Sequence, residues 1–465
     1  MNSVSAIRSL IYHQIESKGF NLNSLSNRSG INRGTLSAIL NGNPPRPISI
    51  GQLDLITEAL EQPRGKFYSL YIDECVDTVQ PNRRRLKSFL LRCADIGELE
   101  CINRVLTRLM EDLSYIPLIF DIAEQLYGEK KYEASRPFYN AVVDSEKYQH
   151  AERLAISQYR LFRLALGDDM EQNLLASNRF EPYRKRLPED YQLEALLHLA
   201  NVYYTLQKWD RVLVYADELR DLAKAVYKDY ERAFLERKPF ELRCERHLVV
   251  YYGQGYLLKG NALEHQRHYE ASAKYIEGYA DLSWFVGLND LGKQEVEKFK
   301  LFAKLNLFNL EVLQGNKYIL PAYVQLLKEH PYELLPSLRT IIEAANINGF
   351  FIDDLLNQFQ IDTSLYMQFD NYYLSVMNKD RYLDLCYNLI VYSLRKKDNM
   401  EAMEKIIYSL KYSISINNKE HFMKIVPLFE QYRAYASKEQ LKEYESIMEG
   451  VLKNAEMGVG LSACD

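Results

Sequence analysis

The chain has 465 residues, 47% of them apolar, so it is long enough for more than one domain with a sizeable core. A net charge of −5 excludes a protein coated with positive charge for nucleic acid. The six scattered cysteines exclude a disulfide framework and point to reduced thiols in the cytoplasm.

The first predicted helix covers residues 3–18. Ser3 is its capping residue, Val4, Ile7, Leu10, Ile11 and Ile15 recur at helical spacing, and Gly19 ends it. The opening residues are polar and no run of 18 apolar residues follows anywhere, so neither a signal peptide nor a membrane span is expected. Residues 21–47, NLNSLSNRSGINRGTLSAILNGNPPRP, read as two short helices joined by a tight turn. Asn21 is placed to cap helix 22–29, because its side-chain oxygen can accept from an otherwise unpaired backbone N–H. Gly30 permits the positive φ of a sharp turn. Asn32 caps helix 33–40, and Asn41, Gly42 and the prolines stop it. Leu22, Leu25, Ile31, Leu36, Ile39 and Leu40 supply the apolar face; Arg33, Thr35, Ser37 and Ala38 point elsewhere. Two more helices are predicted, over 49–60 with Ile50, Leu53, Ile56 and Leu60 inward, and over 65–76 with Phe67, Tyr68 and Tyr71.

Two helices crossing steeply at a glycine turn are the helix-turn-helix unit, whose second helix enters the DNA major groove. The string L-x-x-L-S-x-x-S-G-I-N-R-G-T-L-S-x-I-L-N-G, from Leu22 onward, resembles the phage-repressor (XRE) domain. Ser26 departs from the family's usual Ala. Gly34 inside the second helix costs about 1 kcal/mol of propensity relative to Ala. The resemblance implies a double-stranded DNA operator as partner. Arg33, Gly34, Ser37 and Ala38 would then face base edges, with Asn32 heading the same helix, and Asn21, Thr35, Asn41 and Arg46 would meet phosphates. Charge agrees: residues 1–70 hold seven basic and four acidic side chains, a net +3 that leaves −8 for the rest.

The segment DTVQPNRRR (77–85) reads as a linker, with Pro81 breaking helix. Its basic knot, Arg83, Arg84, Arg85 and Lys87, is either a phosphate contact beside the operator or a solvated start of helix. Beyond it the chain is helical and self-similar. KKYEASRPFYNAVV (130–143) is echoed by RHYEASAKYIEGYA (267–280), and related junctions occur at Trp209, Tyr318 and Met400. NGFFIDDLLNQF (348–359) is a more divergent unit. The pattern resembles tetratricopeptide repeats, whose unit is about 34 residues. It is clearest in LEALLHLANVYYTLQKWDRVLVYADEL. A single helical hairpin cannot bury its apolar face alone, so hairpins stack around a concave surface. The expected fold is all-α: a helix-turn-helix domain (1–76), a linker (77–90), a right-handed tetratricopeptide-like solenoid (91–455) and a flexible tail (456–465).

In the tetratricopeptide pattern the position eight residues before the turn aromatic faces the concave surface. Here it holds Asn201 and Asn261 and, with one inserted residue, Asn309. An amide both donates and accepts, as an extended peptide backbone requires. Tyr204, His265 and Tyr203 would add pockets. Arg243 and Arg246, in a cluster with Arg237 and Lys238, would receive a peptide carboxylate or coat a surface.

Catalytic and metal patterns are weak. Residues 287–294 nearly spell a P-loop, but Gln294 replaces the hydroxyl residue and no strand precedes it, so a loop between helices is expected. Cys244 with His247, and His265 with His268, lack a zinc-ribbon spacing. No enzyme activity, cofactor or metal is expected. A repressor-like head before a tetratricopeptide-like body resembles the Rap–Rgg–NprR–PlcR–PrgX group of peptide-sensing regulators, which includes the arbitrium receptors of phages. That resemblance implies a homodimeric quorum-sensing transcription regulator, free of the membrane, controlled by a short signalling oligopeptide. The alternative is a Rap-like protein that modulates a partner or a phosphorelay, with an accessory DNA-binding head.

Overall fold

In the computed structural model the described residues are 3–76, 81–146, 152–167, 169–359, 375–416 and 418–459. They are all-helical, with no strand among them. The chain divides into two compact units, Met1–Leu166 with Asn178–Pro188, and Gly167–Ser177 with Glu189–Asp465.

The first unit opens with α1 (Ser3–Ser17), α2 (Leu22–Ser29), α3 (Arg33–Asn41), α4 (Ile50–Ala59) and α5 (Tyr68–Val76). Caps set the boundaries. Asn21 Oδ1 accepts from the N–H groups of Asn23 and Ser24 at 3.0 and 2.9 Å, and Ser24 Oγ accepts from the Asn21 N–H at 2.8 Å. Gly30 closes α2 at a φ of 70°. Asn32 Oδ1 accepts from the Gly34 N–H at 2.7 Å. Ile7, Ile11, Leu25, Leu36, Ile39 and Leu53 bury together and fix how α3 lies on α1, α2 and α4.

A buried ion pair locks this packing. Arg8 donates to the Glu74 carboxylate at 3.0 and 3.1 Å, to the Ile39 carbonyl at 2.8 Å and to the Arg46 carbonyl at 3.2 Å. Glu74 also accepts from the Ile48 N–H at 2.8 Å. One pair therefore ties α1, the end of α3, the loop after it and α5, with its polar groups met as burial demands.

Residues 77–80 of the expected linker lie outside the described residues. From Arg83 the chain is already helix, α6 (Arg83–Ile96), capped by Asn82 through the Arg85 N–H at 3.0 Å. Leu86, Phe89 and Leu90 bury in the core of the first five helices. Arg92 pairs with Asp54 at 2.8 Å, and Arg108 of α7 (Leu99–Leu109) pairs with Asp73 at 2.8 Å. Arg83 and Arg85 of the basic knot donate to the carbonyls of Ser114 and Glu74. The boundary expected at 76 thus falls inside the first unit, because an apolar face follows directly on the arginines. Helices α8 (Ile116–Gly128), α9 (Tyr132–Glu146) and α10 (Glu152–Ala165) complete the series before α11 (Met170–Phe180).

The second unit holds α12 (Glu189–Thr205), α13 (Trp209–Leu235), α14 (Leu248–His265), α15 (Tyr269–Ala280), α16 (Asp290–Leu313), α17 (Leu320–Glu329), α18 (Leu334–Asn348) and α19 (Asp353–Leu356). It continues with α20 (Ser375–Arg395), α21 (Asn399–Ser415), α22 (Lys419–Tyr432) and α23 (Lys438–Val459). The expected tail splits: 456–459 continue α23, and 460–465 lie outside the described residues. Neighbouring helices pack as antiparallel hairpins, α12 on α13, α14 on α15, α20 on α21. The P-loop-like stretch is only partly a loop, since Asn289 caps α16 through the Gly292 N–H at 2.8 Å.

The same turn recurs. Lys130, Gln207, Arg267, Gly315 and Lys397 all take positive φ, from 52° to 92°, just before the junction residues. In each turn the next N–H reaches back five residues: Lys131 to Leu126, Lys208 to Tyr203, His268 to Leu263, Asn316 to Glu311 and Asp398 to Ser393, at 2.8–3.0 Å. This is a left-handed helix stop that satisfies the last carbonyls and starts the return helix.

Candidate functional site

The first helices of successive hairpins in the second unit, α12, α14, α16, α18 and α20, line one cavity of about 820 Å³. Gln207, just after α12, donates to Asp384 of α20 at 3.3 Å, so the first and last of these helices meet.

Asn201, Tyr204, Arg246, Asn261, His265 and Asn309 all line this cavity. For the three asparagines the shared position in the repeat is the reason: one register on each inner helix points the same way. Three amides are linked. Asn306 Nδ2 donates to Tyr279 Oη at 2.8 Å and lies 3.3 Å from Asn261 Oδ1. Asn309 Nδ2 lies 3.4 Å from Asn306 Oδ1, and the Tyr323 hydroxyl donates to Asn309 Oδ1 at 2.6 Å. Asn309 is therefore partly committed to its own hairpin, whereas Asn201 stands half-buried on α12, outside this chain of amides.

His265 stacks on Trp209 with ring centroids 4.0 Å apart, and Tyr204 meets Trp209 edge-on at 5.2 Å. Burial, with the nearby Arg339 and Arg381, keeps the imidazole well below its ordinary pKa and hence uncharged. Glu194, beneath the cavity wall, accepts from Arg246 at 2.8 Å, from the Glu245 N–H at 2.9 Å and from the Tyr251 hydroxyl. Glu194, His198 and Glu245 bring possible metal-ligand atoms within 4.8 Å of one another, but Arg246 already answers the Glu194 charge.

Two expected contributors lie elsewhere. Arg243 is exposed, 3.8 Å from Glu241, and is not among the lining residues. Tyr203 is buried in its hairpin, stacked on Tyr215 at 5.5 Å. Others reach the cavity without having been singled out in the sequence. Asn306 sits three residues before Asn309, and Glu264 three after Asn261, so helical spacing could have found both. Arg339 and Asp384 come from hairpins whose repeat pattern is too degenerate to signal them.

In the first unit, Asn21, Asn32, Arg33, Gly34, Asn41 and Arg46 are exposed, while Thr35, Ser37 and Ala38 are half-buried. Asn21 and Asn32 are occupied as caps, and Asn41 Oδ1 accepts from the Tyr12 hydroxyl. A Cβ on Gly42 would sit 2.4 Å from the Ala38 carbonyl oxygen, so glycine is required there for the loop to carry Arg46 back over α3. Lys18 and Arg28 pair with Glu61, and Arg8 is buried with Glu74. Among the described residues near α3, Arg33 and Arg46 make no ion pair.

No known protein family and no curated protein matches the chain. Among solved structures, a circular tandem repeat protein with novel repeat topology and enhanced subunit contact surfaces aligns over 97% of this chain and 99% of its own, at 12% identity. Its TM-score is 0.21, too low to carry an argument. No helix among the described residues is long and apolar enough to cross a membrane.

Proposed function

We propose that this protein is a DNA-binding transcription regulator of the peptide-sensing kind its sequence resembles, with a short oligopeptide held in the cavity of the second unit. The observation that carries the reading is the inward row of amides, Asn201, Asn261, Asn306 and Asn309, on successive inner helices. An amide pairs with the backbone of an extended peptide whatever its side chains. The cavity volume of about 820 Å³ lies in the range of roughly 300–1,000 Å³ typical of ligand sites. The exposed first turn of α3, with Arg33 beside Gly34, is the part of the head that would read an operator.

The peptide acts by differential affinity. It favours whichever arrangement of the inner helices fits it best and shifts the population there. In a homodimer that arrangement sets the spacing of the two heads, and productive binding needs half-sites about 34 Å apart or a multiple. Gel shifts with DNA upstream of the protein's own gene, combined with calorimetry of peptides from adjacent short reading frames, test this. One peptide should bind and change the shift, and Asn201→Ala or Asn261→Ala should weaken its binding at least tenfold. Peptide binding with no DNA shift would favour the Rap-like alternative. The absence of both would end the proposal.

A further inference from the structure

Glu264 differs from four other acids around the cavity. Glu343 holds Arg339 at 3.2 Å, Asp384 accepts from Gln207 at 3.3 Å, Glu295 holds Lys298 at 2.6 Å and Glu194 holds Arg246 at 2.8 Å. Glu264 is only 8% exposed, lines the cavity, and receives no hydrogen bond or ion pair among the described residues. Burial pushes its carboxyl up to about 7, Arg339 pulls it down and Glu343 pushes it up. Arg339 and Glu343 on α18 are engaged with each other, and Arg339 also donates to Thr340 at 3.3 Å. On α20, Arg381 and Asp384 also line the cavity. His265, next along α14, is uncharged and supplies no counter-ion.

A buried carboxyl without a donor is unfavourable, and an incoming donor relieves it. The same cavity is lined by aromatic rings, Trp209 stacked on His265 with Tyr204 edge-on. Aromatic faces attract cations, most strongly where water is excluded. We propose that Glu264, in a cavity also lined by Trp209 and Tyr204, is the subsite for a basic side chain, lysine or arginine, of the bound peptide. This rests on the peptide reading of the cavity and adds the chemistry it selects for. The amide row grips the backbone without regard to sequence; Glu264 makes one position of the peptide specific.

Affinity selection on the full-length protein tests it. Two matched pools of acetylated, amidated hexapeptides are used: one with a single arginine per member, the other with citrulline in its place, which has the same shape and no charge. Wild-type protein should retain the arginine pool at least tenfold over its citrulline twin. Glu264→Gln, nearly isosteric and checked for helicity, should lower that ratio below threefold while still retaining peptides. Glu297→Gln, an exposed acid of α16 that is paired with Lys300 and does not line the cavity, should leave the ratio intact. Equal retention of both pools by wild type would overturn the subsite and leave the peptide reading standing. An unchanged ratio in Glu264→Gln, or an equal collapse in Glu297→Gln, would overturn it as well. Retention of neither pool would bring down the peptide reading and the subsite together.

Discussion

Of the three glycines in helix α14, Gly255 and Gly260 should respond to alanine in opposite directions. A Cβ on Gly255 would lie 2.8 Å from the N, Cα and Cβ of Arg220 on α13. These are backbone or backbone-bound atoms, so no rotamer change relieves the clash. The two helices would have to separate by about 1 Å to restore a carbon contact of about 3.5–4.0 Å. Over-packing of this kind costs about 1–3 kcal/mol. The gain from replacing a helical glycine by alanine, about 1 kcal/mol, offsets part of it. The expected net loss is about 1–2 kcal/mol, which at about 2–4 °C per kcal/mol lowers Tm by several degrees. Gly260, five residues on, is the control: its Cβ would meet Tyr275 Cβ at 3.6 Å, an ordinary contact. Gly260→Ala should therefore gain up to about 1 kcal/mol and raise Tm. Scanning calorimetry of both variants decides the matter. Because α14 also carries Asn261 and Glu264, Gly255→Ala should weaken peptide binding too. Equal shifts in the same direction would refute close helix approach as the reason for Gly255.

Other outcomes follow from the same physics. Arg8→Met leaves the Glu74 carboxylate buried without its partner and should cost about 3–5 kcal/mol in urea unfolding. Arg33→Ala should weaken specific operator binding by about 1–3 kcal/mol, read by titrated footprinting, with helicity unchanged. Glu264 gives a pH signature. Unfolded, its carboxyl ionises from about 4.5 upward, whereas folded it stays protonated up to about 7. Its contribution is therefore most favourable below pH 4.5, declines between 4.5 and 7 by about 3 kcal/mol, and is level above that. Relative to wild type, Glu264→Gln should be nearly neutral at pH 4.5 and stabilising at pH 8, measured as the difference in Tm across that range.

Much of the local architecture was legible in the chain itself. Asn21 and Asn32 announced the starts of α2 and α3, and Gly30 the turn between them, because capping and positive φ are decided within a few residues. Tyr132, Trp209, Tyr269, Tyr318 and Met400 marked where return helices begin, since the same left-handed stop precedes each. The register of Asn201, Asn261 and Asn309 was legible through the tetratricopeptide resemblance, which implies that this repeat position faces the concave surface.

What lay beyond the sequence was partnership. Helix α6 joins the core of the first five helices instead of separating from it, because Leu86 and Phe89 find Tyr68 and Tyr71. Tyr323 binding Asn309, Arg243 lying away from the cavity and Arg339 entering it follow from packing between hairpins. So does the isolation of Glu264. Caps, turns and periods are settled by neighbours along the chain. Whether a buried carboxyl has a donor depends on helices that sequence separates by tens of residues, and only their packing supplies or withholds one.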